Sequence, residues 1–256
     1  MMSSPYAVLA RFYDLQHNAY VSDAPLYLGL ARRFGAAGGA RILELGCGTG
    51  RVMAPLVAAG HTVVGVDESQ EMLDIGARRL ADAPALLWRL IAADARALHL
   101  DETFDLVIIA LNTFLHNETR EDQIATLRIC RSHLRPGGAL VADLPPNDEL
   151  AHQPDDGQYQ FEAKFNDPET GSLIIKHVAS EVNWATQSQR LRFRMEERTP
   201  EGQRLTHETG FVLRHVFRNE MELLLIAAGF THWDWHGSYD LGPYEDDSPR
   251  MIVVAR

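Results

Sequence analysis

Three glycines at alternate positions, Gly46, Gly48 and Gly50, follow the apolar run Ile42-Leu-Glu-Leu45, and one carboxylate, Glu44, lies inside that run. A strand that empties into such a turn offers bare backbone at a sheet edge, where a ligand can lie against main chain without meeting side chains. The spacing bears on which ligand. A dinucleotide fingerprint reads G-x-G-x-x-G and admits a pyrophosphate to a helix N-terminus; here the pattern is G-x-G-x-G. A carboxylate two residues before the first glycine would repel a pyrophosphate and suits a cationic group or ribose hydroxyls. A second carboxylate, Asp67, ends the next apolar run, about one βαβ step downstream. There it can accept from both hydroxyls of a ribose or cap the following helix, a task Ser69 could equally perform.

These residues need a scaffold that brings strand ends together. Apolar periodicity predicts helices over 6–18 and 24–35, the latter stopped by Gly35-Ala-Ala-Gly-Gly39. Strands and helices then alternate: strand 41–46, helix 50–59, strand 62–67, helix 69–81, strands 88–93 and 104–110, helix 119–134, strand 138–144. The strands are near-continuous apolar runs, as expected where helices cover both faces. Such alternation gives an α/β fold, a doubly wound and mostly parallel sheet of seven strands. Beyond Asp143 a loop rich in turn formers, Pro145 to Gly157, leads to period-two alternation through 158–216, broken at Asn166-Asp-Pro-Glu-Thr-Gly171 and Thr199-Pro-Glu-Gly202. This reads as an inserted antiparallel β-meander. A helix over 218–228 with Gly229 as its stop and strands 230–236 and 250–255 complete the sheet. The expected organisation is an N-terminal helical segment 1–39, a core of 40–145 with 217–256, and an insertion 146–216.

Glu44-Leu-Gly-Cys-Gly-Thr-Gly50 followed by Val63-Val-Gly-Val-Asp67 resembles the class I S-adenosylmethionine-dependent methyltransferases. Ala92-Ala-Asp94-Ala resembles that family's acidic turn after the third strand, Phe104 to Ala110 its fourth strand, and Leu134-Arg-Pro-Gly-Gly138 the turn before its fifth. The inserted meander is similar in architecture to the lid of small-molecule N-methyltransferases that act on sugar amines or glycine. The resemblance implies S-adenosylmethionine as cofactor, with Gly46 and Gly48 along its methionine and ribose portion and Cys47 and Gly50 also among the cofactor-binding residues. It implies Asp67 and Glu68 at the ribose, and Asp94 and the backbone of Ala95 at the adenine amino group. Met72 would lie on the adenine face, although a helical Met is also core material. Glu44 either meets the amino end of the cofactor or hydrogen-bonds the glycine loop. Tyr13 and Tyr20 resemble part of an N-terminal segment that closes over the cofactor, Tyr13 being equally suited to burial on the helix's apolar face.

Methyl transfer from a sulfonium is an in-line displacement in which the protein chiefly aligns the nucleophile and excludes water. By topology the acceptor lies beyond the fourth strand, at Ala110-Leu-Asn-Thr-Phe-Leu-His116, with Leu111 and Asn112 beside the cofactor. Asn112 and His116 are the candidate catalytic residues, His116 as proton acceptor because a free imidazole titrates near pH 6.5. His17, Asn112, Phe114 and His116 are the candidate substrate contacts. The aspartate-proline-proline-tyrosine signature of many nucleic-acid and protein amide methyltransferases is absent after this strand, where Leu111-Asn-Thr-Phe stands instead.

The 256-residue chain has 46% hydrophobic and 23% charged residues and a net charge of −11. That balance argues against nucleic acid or an anionic membrane as partner, because both require clustered Lys and Arg. Arg190, Arg192 and Arg194 alternate as the solvated face of a strand would. Two cysteines, no secretory signal and no run of roughly 18 apolar residues fit a cytoplasmic protein. The eleven histidines are dispersed without metal-ligand spacing, so no metal is expected. The expectation is therefore methyl transfer from S-adenosylmethionine to a small-molecule acceptor, nitrogen favoured over oxygen or carbon. A non-catalytic binder of the same cofactor and, more remotely, a nicotinamide-dependent oxidoreductase are the alternatives. Exposed strand edges of the insertion are candidate homodimer surfaces.

Overall fold

The computed structural model describes residues 5–146, 149–152 and 154–256; Met1–Ser4 and parts of the turn-rich loop after Pro146 lie outside the described residues. The elements are α1 (Pro5–His17), α2 (Ala24–Phe34), β1 (Arg41–Leu45), α3 (Met53–Ala58), β2 (Thr62–Asp67), α4 (Gln70–Arg79), β3 (Trp88–Ala92), β4 (Phe104–Ile109), α5 (Arg120–Ser132) and β5 (Leu134–Leu144). They continue with α6 (Glu149–His152), β6 (Gln160–Asn166), β7 (Leu173–Asn183), β8 (Ser188–Arg198), β9 (Arg204–Arg214), α7 (Arg218–Ala228), β10 (Trp233–His236) and β11 (Met251–Ala255). They fall into two units, one of α1 with the stretch from α6 to His215, the other of Val21 through β5 with Val216–Arg256.

The larger unit is built on a seven-stranded sheet in the order β3-β2-β1-β4-β5-β11-β10. β1 pairs in parallel with β2 on one side and β4 on the other, so the chain reverses its direction of travel across the sheet at β1. That topological switch point opens a crevice at the carboxyl ends of β1 and β4, where open α/β sheets bind ligands. Only β11 runs against the others, antiparallel to both β5 and β10. Every residue of β4 is buried, its apolar run broken at Asp105, whose carboxylate accepts the Arg41 N–H at 2.7 Å.

Two features of this unit differ from expectation. α2 belongs to it, although residues 1–39 were grouped as one N-terminal segment. Leu26, Tyr27, Leu30 and Ala31 form one face of α2 and join Ile42, Leu106, Ile108 and Ile252 in the core. Leu134-Arg-Pro-Gly-Gly138 is not a turn ahead of the fifth strand but its first, bulged part. Leu134 pairs with Phe104, and the register shifts between Phe104 and Leu106. Pro136 has no N–H to give a ladder, and Gly137 takes a φ of 81°, which suits a bulge.

The smaller unit is a four-stranded antiparallel meander in the order β6-β7-β8-β9. α1 lays Phe12 onto Ile174, Phe193 and Met195 of its sheet, and Arg11 donates to the buried Glu197 carboxylate at 2.5 Å. The arginines of β8 are a solvated face as expected, Arg192 donating to Glu181 at 3.1 Å and Arg194 to Glu208 at 2.7 Å. The β7–β8 turn escapes sequence rules because Trp184–Gln187 holds neither Gly nor Pro. Asn183 makes it, its Oδ1 accepting the N–H of Ala185 at 3.0 Å, while Gln187 takes a φ of 53°.

The start of α4 carries the ligand edge of β2, and its cap is local. Ser69 Oγ accepts the N–H of Met72 at 3.3 Å. Ser69→Ala is expected to cost about 1 kcal/mol, read as a lower urea midpoint at unchanged slope; no shift would show that Asp67 alone caps this helix.

Candidate functional site

The residues leaving β1 make a cradle in which each glycine answers a different demand. Gly46, Gly48 and Gly50 have φ values of 67°, 53° and 72°, a region that side chains rarely tolerate. A Cβ on Gly46 would stand 2.2 Å from Thr113 Cγ2, so this glycine lets the chain after β4 close on the loop. A Cβ on Gly50 would meet Gly76 Cα at 3.6 Å, tying the loop to α4. A Cβ on Gly48 would meet nothing within 4 Å: here the bare backbone borders open space. The helix expected from residue 50 starts only at Met53, so the turn through Gly50–Val52, not a helix end, follows the cradle.

Cys47 is placed by packing. It is buried, a Cβ on Gly65 would press its Sγ at 2.7 Å, and burial raises its thiol well above the usual range. Its side chain therefore belongs to the core, and it offers a ligand no nucleophile.

Asp67 organises the loop. One carboxylate oxygen accepts the Gly48 N–H at 2.8 Å and the other the Ser69 N–H at 2.9 Å. Each oxygen keeps capacity for another donor such as a sugar hydroxyl. Glu68 lies beside it, its carboxyl raised by partial desolvation and then by Asp67 and Asp94. Asp94 is clamped by Arg96, whose Nε and Nη2 approach it at 2.9 and 2.7 Å, and this contact lowers its carboxyl. Arg96 also reaches Asp122 of α5 at 3.3 Å. Ala95 starts the short 3-10 turn after Asp94, and Met72 is buried in the first turn of α4.

Glu44 lies beneath this edge, 2% exposed, with Oε2 buried and lacking any hydrogen-bond partner. Burial raises its pKa to about 8, Asp23 and Asp67 adding to the rise and Arg51 opposing it. Arg51 is itself held by Asp23 in a buried fork, both contacts at 2.7 Å. A second buried pair joins Arg250 to Asp143 at 2.7 Å. Each pair is neutral within itself, which leaves Glu44 as the surplus carboxylate of the floor. Such a group is costly to ionise unless a cation arrives.

The chain leaves β4 through two consecutive residues in the left-handed region, Leu111 at φ 42° and Asn112 at φ 63°. Neither is glycine, and such strain persists only where surrounding contacts impose it. The Asn112 N–H donates to the Asp143 carbonyl at 3.0 Å, and Arg250 Nη2 donates to Asn112 Oδ1 at 2.8 Å. Leu111 and Asn112 are half-buried after the carboxyl end of β4. Phe114 is not a substrate contact, because it is fully buried and turned into the interior. Burial pushes the His116 imidazole down to about 4. It is neutral near pH 7 and a weaker base than the free imidazole that the role expected for it assumes.

Tyr13, His17 and Tyr20 are described within the smaller unit. The rings of Tyr13 and His17 stack with centroids 4.2 Å apart, His17 Nδ1 lies 3.0 Å from the Tyr13 carbonyl, and the Tyr20 N–H donates to the His17 carbonyl at 3.0 Å. Sequence reasoning missed Asp23, Arg51, Arg96, Thr113, Asp143 and Arg250. Asp143 carried the same signal as Asp67, a carboxylate closing an apolar strand, whereas the arginines declare themselves only through partners distant in sequence. Among the described residues no group of three His, Cys, Asp or Glu is placed to hold a metal ion.

The cradle therefore offers a bare backbone face, carboxylates with acceptor capacity and one buried carboxyl that a cation would let ionise. Comparison with known proteins agrees with that chemistry. The methyltransferase domain family matches residues 42–138. The glycine/sarcosine N-methyltransferase of Aphanothece halophytica is 30% identical over 242 residues, 94% of this chain and 83% of that protein. The cypemycin N-terminal methyltransferase of a Streptomyces species is 40% identical over 105 residues, 41% of this chain and 42% of that one. Across this and two further curated relatives the chain spans 42% to 60% of the relative's length. The crystal structure of an S-adenosylmethionine-dependent methyltransferase from Clostridium acetobutylicum shares the fold at a TM-score of 0.78 and 18% identity, covering 99% of both chains.

The surplus carboxyl has a measurable consequence. Its pKa rises on folding from an ordinary 4.5 to about 8, so between those values the folded chain binds more protons and stability falls as pH rises. Glu44→Gln is expected to match the parent in Tm near pH 4 and to exceed it progressively up to pH 8. A Tm difference independent of pH would contradict an uncompensated buried carboxyl.

Proposed function

We propose that this chain, which belongs to the class I S-adenosylmethionine-dependent methyltransferases, binds S-adenosylmethionine at the glycine cradle and methylates an amine nitrogen of a small molecule. The observation that carries the reading is Glu44 Oε2, a buried carboxylate oxygen without a partner at the cradle floor. S-adenosylmethionine has an ammonium at its amino-acid end and sugar hydroxyls, and the residues fit both. Glu44 holds the ammonium. Gly48 leaves room for the ligand along the backbone, and Asp67, already fixed by two backbone N–H groups, accepts from the ribose. Asp94, drawn against Arg96, is positioned for the adenine amino group.

When bound, the sulfonium supplies both the methyl group and its own leaving group. The protein's part is alignment, which can contribute roughly 7–11 kcal/mol. Leu111 and Asn112, fixed in their bend, form the acceptor side of the crevice. His116 stays neutral beside this wall. The amine therefore arrives deprotonated from solvent, and its proton is not routed through an imidazole.

Nitrogen as the acceptor is supported by a relative named as a glycine/sarcosine N-methyltransferase and by another named as an N-terminal methyltransferase. A reducing, cytoplasmic setting is supported by two free, buried cysteines.

S-adenosylhomocysteine is expected to raise Tm and NADH to leave it unchanged. With a panel of small primary and secondary amines, S-adenosylhomocysteine should accumulate in step with a methylated amine. Ligand binding without turnover on amines, hydroxy acids or phenols would favour a non-catalytic binder. His116→Gln is expected to keep turnover within about tenfold and leave the pH dependence of kcat/KM to the amine's own ionisation. Loss of the acid limb in that variant would restore His116 as the base.

A further inference from the structure

The left-handed step after β4 is held from a segment more than a hundred residues downstream. Arg250, the residue before β11, points Nε at Asp143 Oδ1 (2.7 Å) and Nη2 at Asn112 Oδ1 (2.8 Å). Asp143 is fully buried at the end of β5. Its other oxygen takes the Tyr239 hydroxyl at 3.1 Å, with the Tyr27 hydroxyl at 3.5 Å, and the Leu111 N–H also donates to this carboxylate. One buried ion pair thus satisfies both residues with positive φ.

Arg250 is itself fixed by a tight loop. Its N–H donates to the Gly237 carbonyl at 3.1 Å, and the Gly237 N–H to the Gly242 carbonyl at 3.0 Å. A Cβ on Gly237 would collide with Ser248 Oγ at 2.1 Å. On the far side of the bend, Thr113 rests its methyl over Gly46. The contacts run without a gap from the C-terminal loop, through Arg250 and Asp143, to the bend and the glycine cradle.

We propose that Arg250 and Asp143 are positioning residues for methyl transfer: they impose the strained Leu111–Asn112 backbone and so set the acceptor wall of the crevice against the cradle. The inference rests on the methyltransferase reading for its kinetic consequence, while its structural consequence stands without it. A guanidinium is required, because its planar fork reaches two oxygens at once, which a lysine ammonium does not reproduce. Cofactor affinity depends on the pair less than kcat does, because Glu44, Gly48 and Asp67, which carry the ammonium and ribose contacts, lie on other elements.

Removing Arg250 alone strands a buried carboxylate, which can prevent folding. The test therefore uses Arg250→Met combined with Asp143→Asn, which removes both charges, alongside Arg250→Lys. S-adenosylhomocysteine affinity by calorimetry is expected to stay within about threefold of the parent, while kcat falls about 10- to 100-fold, as a misplaced reacting partner produces. Arg250→Lys should show a smaller loss of the same kind. In an Asn112→Gly background, where glycine adopts the left-handed bend unaided, the further effect of the charge-pair removal on kcat should shrink below about threefold. Equal losses in both backgrounds, or parallel losses of affinity and kcat, would overturn the proposal. Amide hydrogen exchange of the 110–116 segment in the ligand-free protein reads the positioning directly. Faster exchange there in the double variant supports it even if no acceptor is turned over, and unchanged exchange overturns it. Failure of the parent itself to bind S-adenosylhomocysteine would instead count against the functional reading.

Discussion

A single buried carboxylate sets the terms of this site. Glu44 sits in the strand that feeds the glycine loop, and the cation nearest in effect, Arg51, is already gripped by Asp23. Beside two neutral ion pairs the floor holds one surplus carboxyl whose ionised form has no counter-charge of its own. Charge buried in a low-dielectric setting cannot be ignored by the fold: it must be protonated or matched. A ligand bearing an ammonium matches it, whereas a pyrophosphate meets repulsion. Selectivity between the two nucleotide classes that glycine loops serve follows from this residue and from the loop's spacing together.

The remaining architecture keeps that floor dry and its rim open. β1 and β4 lie adjacent at the switch point, so the glycine turn after one and the left-handed bend after the other face each other across one crevice edge. Gly46 exists as glycine because Thr113 is there, and Thr113 is there because the bend at Leu111–Asn112 sends the chain back. Asp67 uses its two oxygens on two backbone N–H groups and so stiffens the loop before any ligand is bound. Preorganisation of this kind lowers the ordering cost that binding would otherwise incur.

How much of this could be read from residues alone depended on range. The succession of strands and helices along the chain, the glycine spacing and the carboxylates of β1 and β2 were legible because each is a local pattern. The 218–228 helix was legible to the residue because Gly229 stops it in the left-handed region. Range defeated the rest. Asp143 and Arg250 are 107 positions apart and Asp23 and Arg51 are 28 apart; no periodicity announces such pairs. The start of β5 looked like a turn because Pro-Gly-Gly suits a bulge equally well, and only its pairing with Phe104 decides. Phe114 and His116 looked available because a loop after a strand usually is, yet burial withdrew the first as a substrate contact and weakened the second as a base.

The claim that everything else leans on is that Glu44 answers a ligand's ammonium. Calorimetric titration with S-adenosylhomocysteine and with its analogue lacking the α-amino group measures this, in the parent and in Glu44→Gln. The account predicts that deleting the amino group weakens binding to the parent at least tenfold, in line with about 1.5–3 kcal/mol for a charged hydrogen bond, and has little effect on the variant. Equal affinity of the parent for both compounds would contradict it.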